Sequence, residues 1–268
     1  FITKIIALRY PNNITISENN ISNISAASST DGFGIALGSN GVSTSTFTGN
    51  EVTNATVTKN IIGNVRPAST YSAVGIYYPS TTNTGTSLIA NNMIYDVQAN
   101  GTAGDFGSGI FIGAVVGTVN VYHNTVTMVG TMTGGSYPTF AFASASSATT
   151  LNIKNNIFIS TGSTGANLNR AMGFAYSTFT NVSSNYNDFV VSGTNSALIQ
   201  VANLTSSGFS TYNTITGMAS WNAASGQDLN SLNVTPVFTS ATDLHLVPAS
   251  NIPLNNKGTF IATVTDDI

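Results

Sequence analysis

Acid–base chemistry has little to draw on in this chain: two histidines, ten carboxylates and seven basic side chains in 268 residues. His123 is a candidate general base, but no partner for it can be named from the sequence, and an outward histidine is ordinarily just solvated. His245 lies in Asp243-Leu-His-Leu246, a pattern that reads as packing or a turn contact. Asp31 in Thr30-Asp-Gly-Phe-Gly34 and Asp105 in Gly104-Asp-Phe-Gly-Ser108 occupy matching loops. Calcium asks for several oxygen ligands, usually with more than one carboxylate. Each loop supplies one, so Asx-turn duty is the reading for both. Asp266 and Asp267 adjoin in sequence but stand at the end of the chain. The absence of cysteine excludes thiolate chemistry and zinc–cysteine sites. A net charge of -3 leaves no basic patch for nucleic acid. No cofactor and no bound metal is expected.

A repeat decides where these residues stand. Asn60, Asn92, Asn124 and Asn156 follow one another at 32 residues, Asn187 comes 31 later, and Asn19 precedes Asn60 by 41. Each sits in a frame such as Val119-Asn-Val-Tyr-His-Asn-Thr-Val126 or Leu151-Asn-Ile-Lys-Asn-Asn-Ile-Phe158, with mainly apolar residues five and three before it and two after. A fixed period of this size marks a stacked solenoid. Alternation on either side of the asparagine predicts strand, sharp bend, strand. Asparagine suits the bend, because its amide tolerates the left-handed conformation and bonds nearby backbone. Stacked once per coil, the amides Asn19, Asn60, Asn92, Asn124, Asn156 and Asn187 are expected to form a structural ladder.

The residues immediately before the ladder read Glu18, Lys59, Asn91, His123, Asn155 and Tyr186. Those four after it read Asn23, Asn64, Asp96, Met128, Ser160 and Val191. Glycoside hydrolysis needs two carboxylates about 5 to 10 Å apart, and neither column pairs two on neighbouring coils. Glu18 and Lys59 are expected to face each other as an exposed pair worth well under about 1 kcal/mol.

A second strand follows the first five ladder positions: Gly34-Ile-Ala-Leu37, Gly75-Ile-Tyr-Tyr78, Gly109-Ile-Phe-Ile112, Thr139-Phe-Ala-Phe142 and Gly173-Phe-Ala-Tyr176. The expected inward rows are Ile35, Ile76, Ile110, Phe140, Phe174 and Leu37, Tyr78, Ile112, Phe142, Tyr176. Tyr77 and Phe111 then point outward on neighbouring coils, and if exposed they form an aromatic ledge about 5 Å in step on which sugar rings could stack. Charged helix formers are nearly absent, with 6% of residues charged, and no 18-residue apolar run could span a membrane. A parallel sheet without crossover helices must wind each coil onto the last. The fold class is therefore all-β, a right-handed parallel β-helix of about seven or eight coils. Residues 1–216 form the coils, and 217–268, which break the period and hold Trp221, form irregular closing coils of the same domain. Both ends read as cuts through a longer polypeptide.

The asparagine frames resemble the right-handed parallel β-helix repeats of many carbohydrate-active and surface proteins. The tail is more specific: Trp221, Gly226-Gln-Asp-Leu-Asn-Ser231, Pro236-Val-Phe238, Asp243-Leu-His-Leu246, Pro248-Ala-Ser250 and Gly258 look like the closing segment of large secreted β-helix proteins of Bacteroidota. That resemblance implies an extracellular or cell-surface protein exported by type IX secretion, with the secretion machinery as a partner during export. The resulting expectation is a non-catalytic module for adhesion, glycan contact or display, partnered by glycans or another surface protein. A polysaccharide lyase or glycoside hydrolase of the β-helix class is the alternative, and ice binding a third, suggested by Thr44, Thr46 and Thr48. The 41-residue first step places a longer loop around Gly41 to Asn50, which with the Tyr77–Phe111 ledge is where a specific face is expected.

Overall fold

The computed structural model describes residues 4–25, 31–39, 52–67, 71–80, 85–99, 107–115, 117–132, 138–164, 168–204 and 213–266. Three sheets run along one axis as a parallel β-solenoid. Sheet 1 contains Lys4–Leu8, Gly32–Leu37, Ala73–Ser80, Gly107–Val115, Thr139–Ser144, Asn169–Phe174 and Ala197–Val201, then Asn213–Ile215, which pairs antiparallel. Sheet 2 stacks Thr15–Ser17, Thr56–Thr58, Thr86–Ala90, Gly117–Tyr122, Thr149–Lys154 and Val182–Asn185. Sheet 3 stacks Asn20–Ile24, Ile61–Val65, Met93–Val97, Thr125–Met128, Ile157–Ser160 and Asp188–Val191. Six coils have a strand in all three sheets, slightly fewer than expected.

The predicted period-2 alternation is seen in sheet 2, where Leu151 and Ile153 are buried between partly exposed neighbours. Their rows meet Ile62, Ile94, Val126, Phe158 and Phe189 from sheet 3 in one continuous core. Phe158 stacks on Phe189 at 6.2 Å and on Phe142 at 5.7 Å. Sheet 1 differs. Gly32–Leu37, Thr139–Ser144 and Asn169–Phe174 are buried at every position, so this sheet is covered on both faces.

The ladder forms as expected. Each amide nitrogen donates to the oxygen of the next rung, Asn19 to Asn60 at 2.9 Å and onward through Asn156 to Asn187 at 3.0 Å. It also donates to the carbonyl two residues back, as from Asn124 to Tyr122, and across to the preceding coil, as from Asn124 to Ile89. The bend itself corrects the sequence reading. The left-handed residue is not the asparagine but the one before it: Glu18, Lys59, Asn91, His123, Asn155 and Tyr186 have φ between 52° and 60°. Turning the chain one residue early points the asparagine inward, where its amide meets three acceptors.

Sheet 1 corrects both expected inward rows: Ile112 of the Leu37 row aligns with Ser144 and Phe174, not with Phe142 and Tyr176. Ile35, Ile76 and Ile110 align with Phe142, Met172 and Ile199, not with Phe140 and Phe174. Phe140 instead aligns with Val74's row through Ser108 and belongs to a separate outer cluster. The cause is a column of small residues, Gly34, Gly75, Gly109, Ala141 and Ala171. A Cβ on Gly109 would stand 2.8 Å from the Ala141 carbonyl and 2.1 Å from Val126. Where Phe158 replaces Val126 in the facing row, alanine takes the glycine's place.

Among the described residues 217–266 no strand joins the three sheets. Met218–Ser225 form a helix that buries Trp221 against Phe174, with centroids 5.9 Å apart, and Gly226 ends it at φ 70°. Asp228 then acts as a seventh rung. Its Oδ1 accepts from Asn187 and Ser231 and its Oδ2 from the Trp221 indole at 2.8 Å. A carboxylate has no hydrogen to pass on, so the ladder ends there. The chain next lays Leu232 beside Asp188 and runs back along the flank toward the first coils. Leu244 packs on Met93 and Tyr95, Thr259 bonds Asn155 through both backbone groups, and Lys59 pairs with Asp266 at 2.6 Å.

Candidate functional site

The Tyr77–Phe111 ledge exists as geometry but not as a surface. The two are partners in register, their rings stack at 5.2 Å, and Phe33 adds a third ring at 5.5 Å. Both are 0% exposed, within a cluster that includes Phe140 and Leu204. Outward from the core is therefore not outward to water in sheet 1, and this stack offers a sugar no face. Asp31 does local work, accepting from the Ser72 backbone on the next coil at 2.9 Å. Asp105, the 41–50 loop and Thr44, Thr46 and Thr48 lie outside the described residues.

The column before the ladder becomes the site, because its left-handed bend brings Lys59, Asn91, His123, Asn155 and Tyr186 beside the returning tail. Asn91 bonds the Asp266 carbonyl, and Asn155 bonds Thr259. His123 gains the partner that sequence could not name: its Nε2 lies 3.0 Å from the Asn155 amide nitrogen. An amide nitrogen only donates, so this imidazole nitrogen accepts. His245 is held by Asp243 at its Nδ1, and that bond keeps the Asp243 carboxyl below the usual range. Lys59 is engaged with Asp266 on this flank, where Glu18 was the expected partner.

Between flank and tail lie two adjoining cavities of about 180 and 270 Å³, sharing His123, Ile157 and Leu246 in their walls. Tyr186, Asp188, Asn230 and Lys257 add polar groups to the smaller, Asn91, Thr125 and His245 to the larger. Asp188 is the unusual member. It is 4% exposed; its Oδ1 accepts from the Val234 N–H at 2.9 Å, and its Oδ2 has no hydrogen-bond partner among the described residues. Burial pushes its carboxyl up to about 6, against the pull of the Val234 and Phe189 N–H groups.

Sequence reasoning missed Asp188 although a signal was there. The position after each ladder asparagine reads Asn20, Ile61, Met93, Thr125, Ile157 and then Asp188, so an acid follows residues that carry no charge and are mostly apolar. Arg170 breaks a pattern in the same way. It is 1% exposed in the outer row of sheet 1, with Nε on Gln200 Oε1 at 3.1 Å. Among the described residues no three acidic, histidine or cysteine side chains cluster with metal-binding geometry, and no helix is long and apolar enough to cross a membrane. In comparisons with protein-family models, curated proteins and solved structures, no match to this chain is found.

Proposed function

We propose that this chain is a stiff, non-catalytic extracellular module of a larger secreted or cell-surface protein, serving adhesion or display through contact with glycans. The observation that supports it most is the composition of the flank crevice: the described lining holds one carboxylate, Asp188, buried and half-bonded. A glycosidase needs an acid and a second carboxylate facing one sugar bond. Here His123 and Asn155 bond each other, and Asn155 also bonds the tail. Such groups serve to hold and contact. The tail motifs support export, by the type IX route, of a Bacteroidota-like surface protein. The nearly uncharged composition suits a rod that meets neutral polymers.

Affinity electrophoresis of the intact chain through neutral and acidic polysaccharides, with parallel assays for reducing ends and unsaturated products with and without calcium, tests this reading. Retardation without products is expected. Product formation that disappears in His123→Ala or Asp188→Asn would replace the module with a lyase or hydrolase. Neither retardation nor products would remove glycan contact and leave display.

A further inference from the structure

We propose that the N-terminal end of the rod is a docking surface for one further coil of the larger protein, whose ladder asparagine donates to Asn19. The inference rests on reading this chain as a module of a larger protein. Each later asparagine rung accepts through its oxygen from the rung before it. Asn19 donates to Ser17 and Asn60, but its Oδ1 accepts nothing among the described residues. That oxygen is also reachable: Asp188 Oδ2 is the one buried side-chain polar atom left without a partner among the described residues, so Asn19 Oδ1 is open to solvent. The backbone is unfinished on the same side. Thr56 and Ile61 donate their N–H groups to the Ile14 and Asn19 carbonyls of the coil before, at 2.8 Å each. Thr15 and Asn20, aligned with them in the first coil, are exposed and have no described strand on that side. The core rows are uncovered as well. Ile35 and Leu37 are 0% exposed, whereas Ile6 and Leu8, aligned with them one coil earlier, are only partly buried. An edge built to stay solitary is blunted by prolines, charges or a cover. Thr15–Ser17 and Asn20–Ile24 hold neither proline nor charge, and the helix with Asp228 covers the opposite end.

The chemistry selects the occupant. It must bring a donor to Asn19 Oδ1 and parallel strands to the open edges. A second copy of this chain fails in either orientation. Head to tail it presents its capped end, where Asp228 has no hydrogen to give. Head to head, aligned ladders bring two Asn19 oxygens together, acceptor against acceptor. A coil of the same frame meets every group at once. Its asparagine nitrogen faces Oδ1, its carbonyls take the Thr15 and Asn20 N–H groups, and its apolar rows cover Ile6, Leu8 and Ile14. Charge adds a preference. Glu18, just before Asn19, is exposed and makes no ion pair among the described residues. A basic residue before the incoming asparagine, as in Lys59-Asn60, would stand beside it.

A copy of the stretch Ala55 to Val65, joined to Phe1 of the intact chain by a Gly/Ser linker of about eight residues, tests the end. A whole-coil copy of the stretch Gly107 to Met128, which carries a strand for each sheet, serves as the second probe. Native-state hydrogen exchange followed by NMR reads the Thr15 and Asn20 amides. In the unfused chain they should exchange freely, and beneath either copy at least about tenfold more slowly. An Ala55 to Val65 copy carrying Asn60→Asp sets acceptor against acceptor and should lose this protection. Lys59→Glu in the copy, which sets two carboxylates side by side, should weaken it about two- to threefold. Equal protection beneath the Asn60 copy and its Asn60→Asp form overturns the proposal, as does exchange that neither copy slows. Slow exchange in the unfused chain that quickens on dilution would make a second copy the occupant and overturns it too. Polysaccharide retardation of the unfused chain is read apart from these amides, so glycan contact by the module and docking at its end can each fail alone.

Discussion

Asn124 uses every polar atom it has. Its side-chain nitrogen donates to Asn156 and to the carbonyls of Ile89 and Tyr122, its backbone N–H donates to Asn156, and its oxygen accepts from both nitrogens of Asn92. Asn124→Ala leaves several of these groups buried and unpaired, so a loss of about 3 kcal/mol or more is expected. Asn19→Ala, at the half-exposed start of the ladder, should lose about 1 kcal/mol; equal losses in urea unfolding would mean the ladder gains nothing from burial. The spacing of these residues was legible because one residue type recurs at one step. The bend geometry was not, because asparagine's own taste for the left-handed region suggested it sat there. In the structure Lys59, His123 and Tyr186 accept that conformation, at about 1 to 2 kcal/mol each, and the inward amides offset it. Asp188 gives a pH prediction of definite sign. Its folded value, about 6, exceeds the ordinary 3.8, so the folded state holds its proton more tightly than the unfolded state does. Its contribution is complete below about pH 4 and lost as pH rises through about 6. Two units correspond to about 3 kcal/mol, an upper bound for a group that can relax. Asp188→Asn should flatten this part of the stability curve; a wild-type curve flat between about pH 4 and 7 would contradict it. Asp243, shifted the opposite way, acts at lower pH.

At the scale of the element, the small-residue column sets how closely sheets 1 and 3 approach. In Gly109→Ala the new methyl meets a backbone carbonyl at 2.8 Å as well as the movable Val126 side chain. A carbonyl in a paired strand cannot retreat, so a loss of about 2 to 3 kcal/mol is expected by denaturant unfolding. Adding Val126→Ala should recover only part of it, and full recovery would place the clash on the side chain alone. The column also explains why the strands of sheet 1 were found from sequence while their register was not. Matching Gly173 to Gly34 looked natural, but the residue in that column is Ala171, two positions earlier. Shifting by two leaves ordinary alternation unchanged, so only the irregularity at the small residue betrays the error by sending Phe140 outward. Burial of sheet 1 on both faces was likewise hidden. Gly-Ile-Tyr-Tyr reads as one apolar face and one aromatic face, and only the neighbouring chain decides whether the second is wet.

For the whole molecule, the ladder has a direction, and that makes its two ends unlike. Every rung passes a hydrogen toward the C-terminal end, so the last one, on Asn187, must meet a group that only accepts. Asp228 is that group, and its second oxygen takes the Trp221 indole hydrogen, tying the helical cap to the final coil. From the sequence Trp221 and Asp228 read only as tail motifs, because the cap forms by contact with a coil 41 residues upstream of Asp228 and leaves no periodic trace. Shape alone cannot replace the carboxylate. Asp228→Asn keeps the outline but sets an NH₂ against either the Asn187 amide or the indole N–H, donor against donor, and should destabilise by about 2 kcal/mol. In a solenoid whose coils contact only their neighbours, such a loss is not shared evenly along the rod. The cap and last coil should open ahead of the first five. Trp221 is the only tryptophan and is fully buried, so its fluorescence reports that end, while far-ultraviolet circular dichroism reports all the sheets. For the wild-type chain the two unfolding curves should coincide. In Asp228→Asn the fluorescence midpoint should fall to lower urea while the circular dichroism midpoint moves little. If both move together by the same amount, the cap and the rod are one cooperative unit, and Asp228 stabilises the whole rather than closing an end.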